Sequence, residues 1–334
     1  MKKFTKGCLL TALILLLVGI VMCGVFGLLG GFRELRQMDG IGSIPFGYHM
    51  DDAGDWNFGF FRSVGSGGRI GRDWEDEQYL RITEGKENGI SLNADSCTEL
   101  DIELAECDLY LEEAEGDQIY VYVTGDTLKY YWTMDGRTLC LRNAGRRASH
   151  TEDEVYVGIP AGQMFKAVEI DFGAGLLHAA PLQAREASID VGAGVCELEE
   201  LVADEADLTV GAGQLHVEAL AAREADVSVG AGELIVRGMT VDGVMDLQMN
   251  MGSATLDGTV DGDLSVECGM GEVTMRLTGS EDDHSYDVEC GMGDVQIGSH
   301  GHGGFAASKS WNDGKGSQFD VDCNMGSVTI TFEE

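Results

Sequence analysis

The sequence predicts an all-β chain, a β-solenoid of stacked coils with a period of about 19 residues, preceded by one N-terminal transmembrane helix. Three observations carry that expectation. A Gly-Ala-Gly triplet recurs at Gly173–Gly175, Gly192–Gly194, Gly211–Gly213 and Gly230–Gly232, then returns as Asn250-Met251-Gly252, Gly269-Met270-Gly271, Gly291-Met292-Gly293 and Asn324-Met325-Gly326. Apolar and polar residues alternate between the triplets, as on a strand with one buried face. Near the start, a long stretch carries no charge at all.

Composition bounds what such a chain can meet. With 44% hydrophobic residues in 334, there is apolar material for a long core, and repeat arrays of this length often run as one unit. The 48 glycines follow no Gly-X-Y period, which excludes collagen and fits many tight turns. Lys+Arg number 22 against 58 Asp+Glu, a formal charge of -36. Such a surface repels phosphate backbones, so no nucleic-acid partner is expected. It also repels anionic lipid or wall polymer unless cations bridge the two. The simpler reading is a solubilising outer face.

Residues 1–7 read as a cytoplasmic N-terminus carrying Lys2, Lys3 and Lys6. Residues 8–32 then run uncharged, longer than the roughly 20 apolar residues that cross a bilayer. A cleaved signal peptide would have a shorter apolar region and a small-x-small site, and Met22 is too large to precede a lipidated Cys23. The lysines ahead of the helix keep the N-terminus inside. The expectation is a single-pass anchor in the cell membrane, with the bulk of the chain extracytoplasmic. Residues 33–73 are rich in Gly and aromatics, with no sustained period, and read as a stalk. Phe46, Tyr48, Trp56, Phe58, Phe60 and Phe61 also suit a membrane interface.

Residues 74–168 read as an irregular β cap with the first coils. Leu100, Ile102 and Leu104 alternate with acids, and Ile119, Val121 and Val123 repeat the pattern. Asp135-Gly136 is expected to form a two-residue hairpin turn. Residues 169–334 form the regular solenoid. In the coil from Ala206 to Glu224, Leu208, Val210, Leu215 and Val217 point inward, the triplet turns the chain, and Leu220–Glu224 is expected as the return bend. Parallel in-register stacking about 4.8 Å apart makes the eight triplets a rod of roughly 35–40 Å. Residues 298–318 interrupt the period and are expected as a loop thrown out from one side. Phe305 and Trp311 there are the candidate binding residues, since exposed aromatics in a projecting loop seldom serve a core; folding back over a gap is the competing role.

In the second half of the array, Met249, Cys268, Cys290 and Cys323 precede the triplets and Met251, Met270, Met292 and Met325 occupy their centres. The expectation is a core sulfur ladder in which soft side chains fill a widening interior. A Cu(I) site of soft sulfur donors is the sharper alternative, opposed by burial of the sulfurs and the lack of Cys-x-x-Cys. Nine cysteines with no disulfide framework are expected mostly as free thiols. His300-Gly-His302 is weak as a metal motif. The acids abutting the triplets lack the nonapeptide of calcium β-rolls, so they read as a solvated face and no cofactor is expected. No Gly-x-Ser-x-Gly, phosphate loop or His-Glu-x-x-His occurs, and no catalytic pair is assigned.

At Val229-Gly-Ala-Gly-Glu-Leu-Ile-Val236, Glu267-Cys-Gly-Met-Gly-Glu-Val273 and Glu289-Cys-Gly-Met-Gly-Asp-Val295 the chain resembles the DUF4097 family of β-strand-repeat proteins, over roughly residues 92–332. The resemblance implies a β-solenoid at a surface or membrane, an adhesin-like role, and kinship with LiaG-like proteins of envelope-stress systems. It supplies no catalytic residues. The function expected is a non-catalytic binding module for a protein or cell-envelope partner. The alternative is a regulatory or scaffold component of an envelope-stress response.

Overall fold

The structure, a computed structural model, describes residues 48–50, 56–58, 79–125, 128–144, 153–303, 307–312, 314 and 316–333. The expected anchor, 8–32, and most of the stalk lie outside the described residues. Among the described residues, no helix is long and apolar enough to cross a membrane. The chain divides into two units, Met1–Gly59 and Phe60–Glu334. In the first, β1 (Tyr48–Met50) pairs antiparallel with β2 (Trp56–Phe58).

The second unit begins with β3 (Leu80–Ile82), β4 (Ile90–Asn93), β5 (Glu99–Glu106), β6 (Asp108–Ala114), β7 (Gln118–Thr124), β8 (Lys129–Asp135), β9 (Thr138–Ala144) and β10 (Glu154–Pro160). The regular coils are β11 (Met164–Ala179), β12 (Leu182–Val241), β13 (Met245–Val260) and β14 (Leu264–Thr278). Then come β15 (His284–Cys290), β16 (Asp294–Ile297), β17 (His300–Gly303), β18 (Ala307–Trp311), β19 (Ser317–Cys323) and β20 (Ser327–Glu333). All of these join one 18-stranded sheet network.

Stacking is parallel and in register, so identical repeat positions form columns. One inward column runs Ile170, Ile189, Leu208, Val227, Leu247, Val266, Val321 and Val288, and every member is buried. A second, beyond the triplet, joins Leu177 to Cys196 and Leu234 through Ala254 and Val273 to Val328 and Val295. A register slip of one residue would turn each column outward, so the alternation locks the pairing. Each fully buried Leu or Val contributes about 1.5–3 kcal/mol. The stretch Leu220–Glu224 differs from the expected bend. It is extended, with Leu220 and Ala222 buried, because its own alternation supplies a third inward segment of the coil.

The triplet turns need glycine for a specific reason. Gly213 sits at φ 145, and a Cβ there would overlap the carbonyl oxygen of Gly194 one coil away. Close backbone approach and a left-handed φ coincide, which L side chains tolerate poorly. The cap hairpin is shifted by one residue from expectation. Its turn is Gly136-Arg137 between β8 and β9, with positive φ at Gly136 alone, so glycine takes the first central position.

Neither end follows chain order. At one end β5 and β6 lie between β11 on the inside and β9 and β10 on the outside, all parallel. At the other, β19 and β20 lie between β14 and the pair β15 and β16. Each outer coil is then covered by antiparallel strands, β7 on β10 and β8 on β9, and β17 on β16 and β18 on β15. A parallel stack would otherwise expose unpaired N–H and C=O groups, and the reversed strands pair with them. The insertion expected as a projecting loop is therefore largely sheet: residues 300–303 and 307–311 are the covering strands.

Candidate functional site

Trp311 does not project. It lies half-buried in β18, stacks on Tyr286 at 4.7 Å and His300 at 5.2 Å, and carries Lys309 Nζ 5.1 Å from its ring centre. Tyr286, Phe319 and His284 continue the cluster inward, with His284 stacked on Phe319 at 4.2 Å. Burial lowers the His284 pKa, and its Nδ1 lies 2.7 Å from Ser317 Oγ. His300 pairs with Glu281 in the cap, and the side chain of His302 lies outside the described residues. Trp311 is thus an end plug, because the outermost coil has no further coil to cover it. Phe305 lies outside the described residues.

The sulfur ladder splits. Met249, Cys268, Cys290 and Cys323 are buried as expected. Met251, Met270, Met292 and Met325 are exposed. The triplet turns its central residue out of the coil, so these methionines occupy a surface corner and fill no core. A Cβ on Gly326 would come 2.8 Å from Cys268 Sγ, and one on Gly293 the same distance from Cys323 Sγ, so the thiol fits where the neighbouring turn presses in. Of the ladder's glycines, Gly175, Gly194, Gly232 and Gly252 hold positive φ, and Gly173, Gly192, Gly269, Gly271 and Gly291 lie where a Cβ would come within 3 Å of the neighbouring coil's backbone, while Gly211 and Gly230 are strand residues. The seven described cysteines are free and buried; burial raises the Cys323 pKa to about 11.

An open groove of about 560 Å³ runs across the coils. Buried Ala187, Ala206 and Ala225 form its floor, and Glu186, Glu205 and Glu224 line one side. Glu169, Ser188, Asp207, Asp226 and Asp246 line the other. Register creates this arrangement: Asp226 stands opposite Asp246, and Glu169 opposite Ser188. Burial, then the Asp207 and Asp246 carboxylates, raise the Asp226 pKa. Arg223 pairs with Glu205 at 2.9 Å and with Glu224, so part of the wall is already neutralised. Among the described residues, no group of three or more His, Cys, Asp and Glu side chains is placed to hold a metal ion.

A second outward feature escaped the reading of the sequence. Tyr120, Tyr122, Tyr156 and Tyr110 stack in a ladder at 6.0, 4.6 and 5.0 Å, ending on His178 at 6.5 Å. Lys86 Nζ lies 5.3 Å from the Tyr122 ring. Tyr120 donates to Glu112 and Tyr156 to Glu154. Burial and then the Glu112 contact raise the Tyr120 pKa to about 12. The signal was present in Ile-Tyr-Val-Tyr-Val, whose outward positions are all tyrosine. Because the rings cover one another's faces, the ladder braces the cap.

The model of the Toastrack DUF4097 family matches residues 97–331, the span of the coils and both their covers. The chain belongs to the Toastrack DUF4097 family. Its β-solenoid-like, all-β architecture is that family's fold. Comparison with curated proteins returns no match. Among solved structures, a "putative adhesin" from Parabacteroides merdae is 16% identical, with 72% of this chain and 95% of that one covered at a TM-score of 0.37. A "putative adhesin" from Parabacteroides distasonis is 13% identical, covering 76% and 98% at 0.37. A "putative lipid binding protein" from the same organism is 10% identical, covering 72% and 95% at 0.36. At such identities and scores, the likeness says nothing of what this Toastrack chain binds.

Proposed function

We propose that this protein is a membrane-anchored, extracytoplasmic binding module that acts without catalysis, presenting its acidic coils to a partner in the cell envelope. The carboxylate-lined groove carries this reading. Parallel register fixes its charges at strand spacing, about 4.8 Å, on a backbone braced by a continuous core. A partner of complementary charge then meets a preorganised row and pays little ordering entropy. The uncharged stretch 8–32 supports the anchor, and the charge of -36 supports an exposed, solvated setting.

The test uses the full-length chain and the variant E186Q/E205Q/E224Q/D207N/D226N/D246N, with circular dichroism confirming that both fold. The wild type is expected in the membrane fraction, cleaved by protease added outside the cell. It should capture envelope material, and capture should weaken as salt is raised. The neutralised variant should lose that capture. Equal capture by the folded variant would remove the groove from function, and recovery of the wild type in the soluble cytoplasm would remove the anchor.

A further inference from the structure

We propose that Met251, Met270, Met325 and Met292 form a thioether site for a soft monovalent metal ion, Cu(I) or Ag(I), on the corner of the late coils. Their alignment follows from the hydrogen-bonded register. Met251 pairs directly with Met270. The Met325 amide donates to the Gly269 carbonyl at 2.8 Å, and the Met292 amide donates to the Asn324 carbonyl at 2.6 Å. The out-of-order return of the chain therefore sets Met325 between Met270 and Met292. The result is one unbroken column, with rungs about 4.8 Å apart.

All four side chains are open to solvent, at 48% for Met251, 52% for Met270, 51% for Met325 and 61% for Met292. Packing does not call for them. The same corner on the earlier coils carries Ala174, Ala193, Ala212 and Ala231, in register with the methionine column where Ala231 meets Met251. Long apolar side chains exposed on consecutive rungs gain little burial in return. Their common asset is a neutral, polarisable sulfur on a flexible stem, so that neighbouring rungs can converge on one ion.

Thioethers select soft ions such as Cu(I) and leave Ca²⁺ and Mg²⁺ to oxygen donors. They need no deprotonation, unlike thiolate ligands. Exposed carboxylates flank three of the four rungs in sequence: Glu267 and Glu272 about Met270, Asp322 before Met325, and Glu289 and Asp294 about Met292, while the Met251 rung carries Gln248 and Ser253 in their place. Their field concentrates cations at the corner without competing as soft donors. The buried thiols of Cys268 and Cys323 stand apart from this role. They pack beneath the glycines of the neighbouring turns and have no comparable access.

Full-length protein carrying methyl-13C methionine, reduced and in chloride-free buffer, is titrated with silver nitrate as the redox-inert probe. The methyl signals of Met251, Met270, Met292 and Met325 should shift and saturate, while those of buried Met239, Met245, Met249 and Met275 stay in place. Replacing the two central rungs, M270L/M325L, keeps bulk and removes the donors, and should weaken silver binding at least about tenfold. The triple variant C268A/C290A/C323A should bind as the wild type does. The proposal is overturned if the exposed methyl signals do not move. It is equally overturned if M270L/M325L binds undiminished, or if binding is lost with the cysteines and not with the methionines.

Discussion

The early and late coils of this solenoid share a backbone register and differ at the corner. In the early coils Val191, Val210 and Val229 sit inside the turn and Ala193, Ala212 and Ala231 outside it. In the late coils Cys268, Cys323 and Cys290 sit inside and Met270, Met325 and Met292 outside. The turn backbone differs with them. Gly175, Gly194, Gly213, Gly232 and Gly252 hold positive φ, whereas Gly271, Gly293 and Gly326 do not. In two of the late turns the third glycine also lies against a thiol of the neighbouring coil, Gly326 by Cys268 and Gly293 by Cys323. The core columns continue through both halves unchanged, so the corner is free to vary while the stack is held elsewhere.

The sharpest way to break this comparison is to add one methyl group to each kind of turn. In Gly213→Ala the Cβ overlaps the Gly194 carbonyl oxygen at φ 145, so strain and overlap add. The expected loss is about 3 kcal/mol or more. In Gly271→Ala the Cβ comes 2.5 Å from the Gly252 oxygen without the left-handed φ, and the loss should be about 1–3 kcal/mol. Urea unfolding followed by circular dichroism measures both. Equal losses would show that the two turns are one device.

How far the sequence carried these distinctions depends on the range of the interactions involved. The triplet spacing and two-residue alternation are local, and they revealed the stacking, the register and the inward sets. The position of β19 and β20 between β14 and β15 was not legible, because Cys290-Gly-Met-Gly and Cys323-Asn-Met-Gly are near-equivalent partners for Cys268-Gly-Met-Gly. The covering strands β17 on β16 and β18 on β15 mark which coil is outermost. Exposure of the methionines was misread for a related reason: strand alternation assigns sides only while the chain stays straight, and the triplet bends it. The acidic groove was legible as charge and not as a groove, since its walls are residues one coil apart. Trp311 was misplaced because an interrupted period looks the same whether the extra residues project or fold over an open edge.

A second comparison contrasts the acidic wall of the early coils with its continuation, where Asp246 gives way to Ser265. Asp226 holds its proton more tightly in the folded chain, through burial and the Asp207 and Asp246 charges. The folded state therefore binds more protons than the unfolded one above the usual carboxylate pKa. Stability from this group is present below that window and falls as pH rises through it. Asp226→Asn should raise Tm at pH 7, and the gain of the wild type over its neutral-pH value on mild acidification should be smaller in the variant. Differential scanning calorimetry between pH 4 and pH 7 reads both. Parallel Tm curves would assign the acid response to net charge and leave the column without a particular part in it.

The smallest expected effect is the most informative about the corner. Met270→Ala restores the residue type of the early coils at a half-exposed position. Stability should change by no more than about 0.5 kcal/mol. Met249→Ala, one register step away but fully inside, should cost about 2–5 kcal/mol. The pair separates two uses of one side chain: inside the coil methionine is packing, and outside it the same sulfur faces solvent and acts on whatever approaches. A loss above about 2 kcal/mol for Met270→Ala would make the outer column structural and erase the distinction between the two halves.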